Sequence, residues 1–522
     1  MVRKLKGQKG HYYAQVDEIR LHSPYDPFRE SERFIRTKIT TTPSKILLLG
    51  PGLGYLIDTC KKFFPDAGII SIFYHPDFFL WYNESGTISY LFENAADFSV
   101  FLRKNLHELD LEGLEVIEWP GSSRVFPKIS QMVNSIIHNI ILELHSNFLT
   151  TDAFGKKMVL NRIKNFLFHS NIIDIEKIQN PVVIAASGPS LEKAAPKLLP
   201  FRDKYTLLAL PSSLELLQNY NIEPDAVVMT DPGFYSRFHA FSLYRNFSSK
   251  IPCILSLSSG FSPAVVNNPA QFIGWDPVFE LQFLSFYYDN NHIIPETGTV
   301  AGTAYELCMR LTPPAVLYTG LDFSYYDILS HARPHIFYSM FMCNAWKAIP
   351  FESTLFSRKI NFDDNSNSFS AYSTWFSKKL KHAPDIFYRI FPSIVSIPGF
   401  TPIDEKGLQE FFQGYPDKYE NLKYSQLPVK KIETRTAYVL RQIEVISEAI
   451  QQIQNSDNLP TYRELTRNER LFQLLFMLNP IKLKSYKHLS RNSDSSSQQT
   501  LSFLLEESKD FFSGIRRWLL SV

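Results

Sequence analysis

The sequence predicts an α/β protein in three parts. A Rossmann-like parallel-sheet central domain is preceded by a smaller Rossmann-like domain and followed by a C-terminal helical domain. Three observations carry this expectation. Between Pro181 and Pro232, short apolar runs that stop at small or polar residues alternate with helix-like segments. Near the N-terminus, the apolar run Lys45 to Leu49 opens into the turn Gly50-Pro51-Gly52-Leu53-Gly54. Near the C-terminus, residues 428–454 carry one apolar stripe at helical spacing. Continuous apolar runs separated by helices indicate parallel strands buried on both faces by their crossover helices.

Size and composition narrow the class. A chain of 522 residues is long enough for more than one domain. Hydrophobic residues make up 44% and charged residues 20%, which is globular rather than disordered composition. With 54 Lys and Arg against 52 Asp and Glu, the net charge of +2 gives no reason to expect a nucleic-acid partner. Cys60, Cys253, Cys308 and Cys343 are far apart and lack metal-ligand spacing, so reduced thiols are expected. The basic start MVRKLKGQKGHYY has no apolar core behind it, so it does not read as a secretory signal. No run reaches the ~18 apolar residues of a membrane span. A cytoplasmic protein is expected.

The N-terminal Rossmann-like domain is assigned to residues 1–127. Residues 1–43 are mixed and carry no pattern. After the glycine turn comes a helix-like segment, Tyr55 to Phe64, and a second strand, Gly68 to Phe73, ending at Tyr74-His75-Pro76-Asp77. Glycines at such a turn permit close backbone approach to a ligand. The acidic residue that would hold ribose hydroxyls at the end of the second strand is missing, because Tyr74-His75 stand there. A structural domain is therefore favoured over a working cofactor site. Residues 128–174 carry Met132, Ile136, Ile140, Ile141, Leu144, Leu160, Ile163 and Phe166 at helical spacing, as one or two connecting helices.

The central domain is assigned to residues 175–425. Its strands are expected to end at Ser187-Gly188-Pro189-Ser190, Pro211-Ser212-Ser213, Thr230-Asp231 and Thr319-Gly320-Leu321-Asp322. Ligands of open α/β sheets bind beyond the carboxyl ends of the strands. Gly188 and Pro189 set a tight bend, and Ser190 is placed to cap the next helix so that its amides face a phosphate. No P-loop lysine follows. Gly298-Thr299-Val300-Ala301-Gly302 opens another helix whose first turn small residues keep clear. Asp231 and Asp322 end strands, Tyr325 and Tyr326 offer hydroxyl donors, and His331 and His335 are the general-base candidates. Residues 339–425 are aromatic, Pro-rich and irregular, as substrate-covering loops or as an insertion with its own core. Residues 426–522 form the helical domain, with helices near 428–454, 461–478 and 501–521 and a flexible linker over Arg491 to Thr500.

The runs VVIAASGPSLEKA, IEPDAVVMTDP, ETGTVAGTAYELCMR, AVLYTGLDFSY and SHARP together resemble the motility-associated-factor (Maf) flagellin glycosyltransferases. The Gly-Pro-Ser-Leu, Gly-Leu-Asp-Phe and His motifs further resemble bacterial sialyltransferases that use CMP-sialic acid. The resemblance implies a sialyltransferase-like central domain. It also implies transfer of a nonulosonic acid, of pseudaminic or legionaminic type, from its CMP form to Ser or Thr of flagellin with inversion. No cofactor or divalent cation is then required. The nucleotide-sugar would meet Ser187, Gly188, Pro189 and Ser190, with Asp231 beside the nucleotide and Gly298, Thr299, Gly302 and Gly320 around the cytidine or sugar. Asp322 would organise the pocket, Tyr325 (or Tyr326) would donate to the departing phosphate, and His331 would take the acceptor proton. The chain departs from the family at His75, and at FPSIVSIPGFTPID, where an Asn-Ala-Thr-Glu-Gly-Gly-like stretch is usual. The same Gly-Pro-Ser-Leu domain resembles archaeal-type 6-hydroxymethyl-dihydropterin pyrophosphokinases, which implies instead ATP and Mg²⁺ with Asp231 and Asp322 as ligands. A third expectation is a non-catalytic flagellar accessory protein.

Overall fold

The computed structural model describes residues 2–521 except 83–86, 247–249, 277, 290–291, 296, 366–367, 392–394, 417–421, 457–458 and 492–494. Glu296 and residues 392–394, which belong to the motifs compared above, lie outside the described residues. The chain divides into two compact units, Met1–Ala153 and Phe154–Val522.

The first unit begins with an antiparallel sheet of β1 (Val2–Lys6), β2 (Tyr12–Val16) and β3 (Ile19–Arg20), so residues 1–43 are structured where the sequence showed no pattern. The helix Pro27–Lys38 follows, its N-terminus capped by the Asp26 carboxylate. Then come β4 (Lys45–Leu49), β5 (Gly68–Phe73), β6 (Ile88–Leu91) and β7 (Leu114–Glu118), a parallel sheet in the order β6-β5-β4-β7. One face of this sheet packs on Ile35, Leu56, Ile57 and Cys60. The other packs on Phe98, Leu102, Val133, Ile137 and Ile140. The last three lie on a single 42-residue helix, Pro127–Phe168, where the sequence led us to expect one or two connecting helices.

The second unit is built on eight parallel strands. They are β9 (Val182–Ala185), β10 (Thr206–Ala209), β11 (Ala226–Met229), β12 (Cys253–Ser256), β13 (Ala270–Ile273), β14 (Val316–Thr319), β15 (Phe387–Ile390) and β16 (Thr401–Ile403). A short antiparallel pair, β8 (Ile173–Ile175) with β17 (Tyr424–Gln426), stands beside them. The order is β13-β12-β11-β10-β9-β14-β15-β16. Every side chain of β9 is buried, so this strand reads as an unbroken apolar run with helices on both faces. The chain winds away from β9 in one direction through β10 to β13, then returns to its other side through β14. The switch point of the sheet therefore lies between the carboxyl ends of β9 and β14. The register is tight there, with Ala185 opposite Ala209 on one side and Thr319 on the other.

Three stretches differ from the sequence expectation. Residues 339–425 are largely regular, with helices Ile336–Cys343, Phe351–Asn365, Ser368–Leu380 and Glu405–Gln413 between and around β15 and β16. Their aromatic residues pack as core: Phe376 is fully buried against Tyr318 and Phe400. The Ser-rich stretch read as a linker is helical from Ser495, because fully buried Leu501, Leu504 and Leu505 hold the helix Ser495–Ser521 against its neighbours. Tertiary burial outweighs the weak helix propensity of serine here. The expected helix at 461–478 is two, Tyr462–Leu465 and Glu469–Leu478, separated where Asn468 caps the second.

Candidate functional site

The sheet switch point brings Ser190 and Asp322 together across 132 residues of sequence. The Ser190 amide donates to Asp322 Oδ2 at 2.7 Å, and the Ser190 hydroxyl donates to Oδ1 at 2.7 Å. Asp322 is only 4% exposed, so these charge-assisted bonds replace the water that its carboxylate has lost. Arg389 of β15, also buried, stands 3.9 Å from Oδ1. It is held by the Leu321 and Val395 carbonyls. Gly188 is required by close approach: a Cβ there would lie 2.5 Å from both Asp322 Oδ2 and the Gly320 carbonyl. Gly320 has φ +66° and would drive a Cβ to 2.2 Å from the Ala186 carbonyl.

The Gly188–Ser190 turn differs from its expected role. Ser190 is helical (φ −63°), makes no side-chain cap, and gives its hydroxyl to Asp322 instead. The Gly188 amide donates to the Gly320 carbonyl, and the amides of Leu191, Glu192, Lys193 and Ala194 donate to carbonyls of Gly188, Pro189 and Ser190. The amides expected to face a phosphate are thus spent inside the chain, with the Asp322 carboxylate already at the helix start. The Ser187 hydroxyl, by contrast, lies at the strand edge and accepts from Ser212 Oγ at 2.7 Å.

The loop after β14 folds back onto this turn, with the Ala332 amide donating to the Ser187 carbonyl at 2.7 Å. It carries His331 and His335, whose rings stack at 4.3 Å. His239, from the helix Ser236–Asn246 after β11, closes on His335 at 5.3 Å. Three imidazoles therefore meet at this edge. Ser330 Oγ sits 2.8 Å from His331 Nδ1, and the Tyr338 hydroxyl bridges the His331 amide and carbonyl. His335 accepts from the Phe337 amide through Nδ1, while its Nε2 is buried and meets no hydrogen-bond partner among the described residues. Burial pulls His331 down to about 4, helped by Arg358. Burial and the His331 charge likewise pull His239 down to about 4. Burial and the two neighbouring rings pull His335 to about 2. All three are neutral at pH 7.

The remaining predicted residues spread along the same edge. Thr299 caps the helix Val300–Leu311 by accepting from the Gly302 amide, and that helix approaches β14 where the Tyr318 hydroxyl donates to the Ala301 carbonyl. Gly298 is exposed beside Tyr372, which in turn meets Phe323, the residue after Asp322. Tyr325 packs on Phe369, whereas Tyr326 is 63% exposed with Lys193 above its ring. Asp231 is exposed and accepts from the Gly233 amide. It ends β11, two strand spacings or about 10 Å across the sheet from β9. Asp231 and Asp322 are thus not brought together as a cation pair, and both Asp322 oxygens already accept protein donors. The paired-carboxylate Mg²⁺ site implied by the pterin-kinase resemblance is therefore not formed by these two residues. His239, Ser212 and Arg389 joined the site through folding alone; the sequence flagged Ser212 only as a strand end and gave no signal for the other two.

The first unit's glycine turn is filled by its own side chains. A Cβ at Gly52 would lie 2.4 Å from His22 Nε2, which accepts from the Leu53 amide, and a Cβ at Gly54 would strike Tyr82. A cavity of about 490 Å³ lies at the opposite, amino ends of β10 to β12 in the second unit. Arg202 in its wall is consumed by Asp225 and the Glu223 and Tyr205 carbonyls, so the chemistry concentrates at the carboxyl edge instead.

A family model described as 6-hydroxymethylpterin diphosphokinase MptE-like matches residues 157–327. The match includes the Gly188 turn, Asp231 and Asp322 and ends before His331. The solved structure of a Maf glycosyltransferase from Magnetospirillum magneticum AMB-1 superposes over 99% of this chain and 91% of that one. The TM-score is 0.56 at 10% identity, so the two share a fold. Two proteins of Treponema pallidum (strain Nichols), both named only as uncharacterized, are 24% identical over 285 residues and 26% identical over 115 residues. These matches take in 54% and 21% of this chain, and 61% and 54% of the relatives' own lengths.

Proposed function

We propose that the chain is a glycosyltransferase that moves a nonulosonic acid from its CMP form to a Ser or Thr hydroxyl of flagellin, with inversion, in the cytoplasm. One observation carries this reading. The His331 loop is seated on Ser187 beside the Gly188–Asp322 junction, in a fold shared along almost the whole chain with a Maf glycosyltransferase. In the reaction, the acceptor oxygen forms a bond to the anomeric carbon as the bond from that carbon to the phosphate oxygen breaks. The electron pair leaves on CMP, and the hydroxyl proton passes to His331 Nε2. With Nδ1–H donating to Ser330 Oγ, 2.8 Å away, Nε2 is the basic nitrogen. Neutral His331 is competent to accept the proton, and the departing phosphate supplies the negative charge that stabilises the imidazolium. Tyr326, exposed beside Lys193, suits contact with that phosphate better than Tyr325 on Phe369.

The match of residues 157–327 favours a second reading, phosphoryl transfer from ATP to a hydroxymethylpterin. Purified protein is incubated with flagellin and CMP-pseudaminic or CMP-legionaminic acid, and flagellin mass and CMP release are followed. Transfer lost in His331→Ala with CMP affinity retained is the expected result. His331→Ala transferring at the wild-type rate overturns the base assignment. Binding of Mg·ATP with no binding of CMP replaces the first reading by the second.

A further inference from the structure

The three-imidazole cluster has a chemistry beyond one base. His239, His331 and His335 come from two separate segments and stack or abut at 4.3 and 5.3 Å. Among the described residues, the charges that act on these rings are each other's and that of Arg358 on the helix Phe351–Asn365. The other charged groups around them are Arg237 on His239's own helix, drawn onto the Phe234 ring, and Arg333, whose charge is paired with Glu192. Tyr338 adds a neutral hydroxyl. The cluster thus gathers four groups that are cationic when protonated and, among the described residues, no carboxylate to balance them. Among the described residues, nothing partners the buried Nε2 of His335. A buried donor set of this composition lacks an anion. The amides expected to hold phosphate are meanwhile spent on internal acceptors.

We propose that His239 and His335 form the subsite for the donor's phosphate group, and that a proton is taken up there when this anion binds, while His331 stays neutral. This rests on the nucleotide-sugar reading for the identity of the anion, not for its chemistry. A fixed negative charge brought against a neutral imidazole raises its proton affinity, so bound cluster and free cluster differ in protons held. Binding must then strengthen as pH falls from about 8 towards 6, by up to tenfold per pH unit for one coupled proton.

The test uses the full chain and the methyl ester of CMP, a phosphodiester whose own charge does not titrate near neutrality. Titration calorimetry near pH 6.5, in two buffers of unequal protonation heat, gives the protons taken up per ligand. Cytidine serves as the phosphate-free control and the methyl ester of AMP as the alternative nucleotide. Uptake of about one proton with the CMP ester, none with cytidine, and a fall of roughly half or more in His239→Gln is the expected result. His335→Asn should lower uptake similarly, but its residue is buried, so half-buried His239 carries the test if that variant does not fold. Uptake seen with the AMP ester alone upholds the subsite and removes the CMP reading. The CMP ester bound without proton uptake, uptake unchanged in His239→Gln, or no binding of either ester overturns the proposal.

Discussion

Removing the Asp322 carboxylate should unfasten the switch point of the second unit's sheet. Asp322→Ala deletes the acceptor of two bonds, the Ser190 amide and hydroxyl at 2.7 Å each. Hydrogen bonds to a charged partner contribute about 1.5–3 kcal/mol apiece. The substitution is therefore expected to cost about 3–5 kcal/mol, since the desolvation cost of the carboxylate is recovered in part. Ser190→Ala removes only the hydroxyl bond and should cost about 1.5–3 kcal/mol. In the double variant the hydroxyl bond is counted once, so the coupling between the sites should be about 1.5–3 kcal/mol. Urea unfolding of the four proteins measures this cycle. Both single variants should also bind CMP more weakly, because the Gly188 turn loses its anchor. A coupling near zero, with CMP affinity unchanged, would refute the view that this pair fixes the turn.

Two further perturbations test neighbouring claims. Gly188→Ala places a Cβ 2.5 Å from a backbone carbonyl and from Asp322 Oδ2, and should cost about 1–3 kcal/mol and weaken CMP binding; an unchanged melting temperature would show that the turn yields freely. Burial holds His22 at about 3 against an ordinary 6.5, so the unfolded chain binds more protons between those values. Stability from this group is complete above pH 6.5 and lost as pH falls towards 3, at about 1.4 kcal/mol per pH unit, and His22→Asn should flatten the acid limb of the unfolding curve over that window.

Parallel strands were legible where burial is complete. The runs at β9, β10, β11 and β14 are apolar on both faces, and their polar punctuation marks the carboxyl edge that carries the site. β13, β15 and β16 were not read, because Gln271, Arg389 and Pro402 interrupt their pattern. Those interruptions have structural reasons. Gln271 accepts from the Ile175 amide, and Arg389 braces the loop around Asp322. Ser190 and Asp322 were both singled out, but their bond was not foreseen, because local chemistry at a helix start suggests a cap and an open anion site. A carboxylate from the neighbouring strand reached it first. His239 illustrates the same limit: nothing in FYSRFHAFSLY separates it from a surface helix residue until the fold lays it against His335.

That internal carboxylate shapes the rest of the edge. With Asp322 at the start of the Leu191–Leu198 helix, a second anion there would meet a fixed negative charge and no free amide. An anionic donor must draw its counter-charge from side chains that face the same edge. Those available are Lys193 beside Tyr326, Arg358, His239 and His335, all on the loop and helices that cover the strand ends rather than on the strands themselves. Neutral while empty, the imidazoles avoid the repulsion that three clustered cations would suffer, and His239 and His335 gain a proton only when an anion arrives to balance it, leaving His331 neutral as the base. The sheet would then fix the geometry of the pocket, and the covering loop would supply its charge on demand.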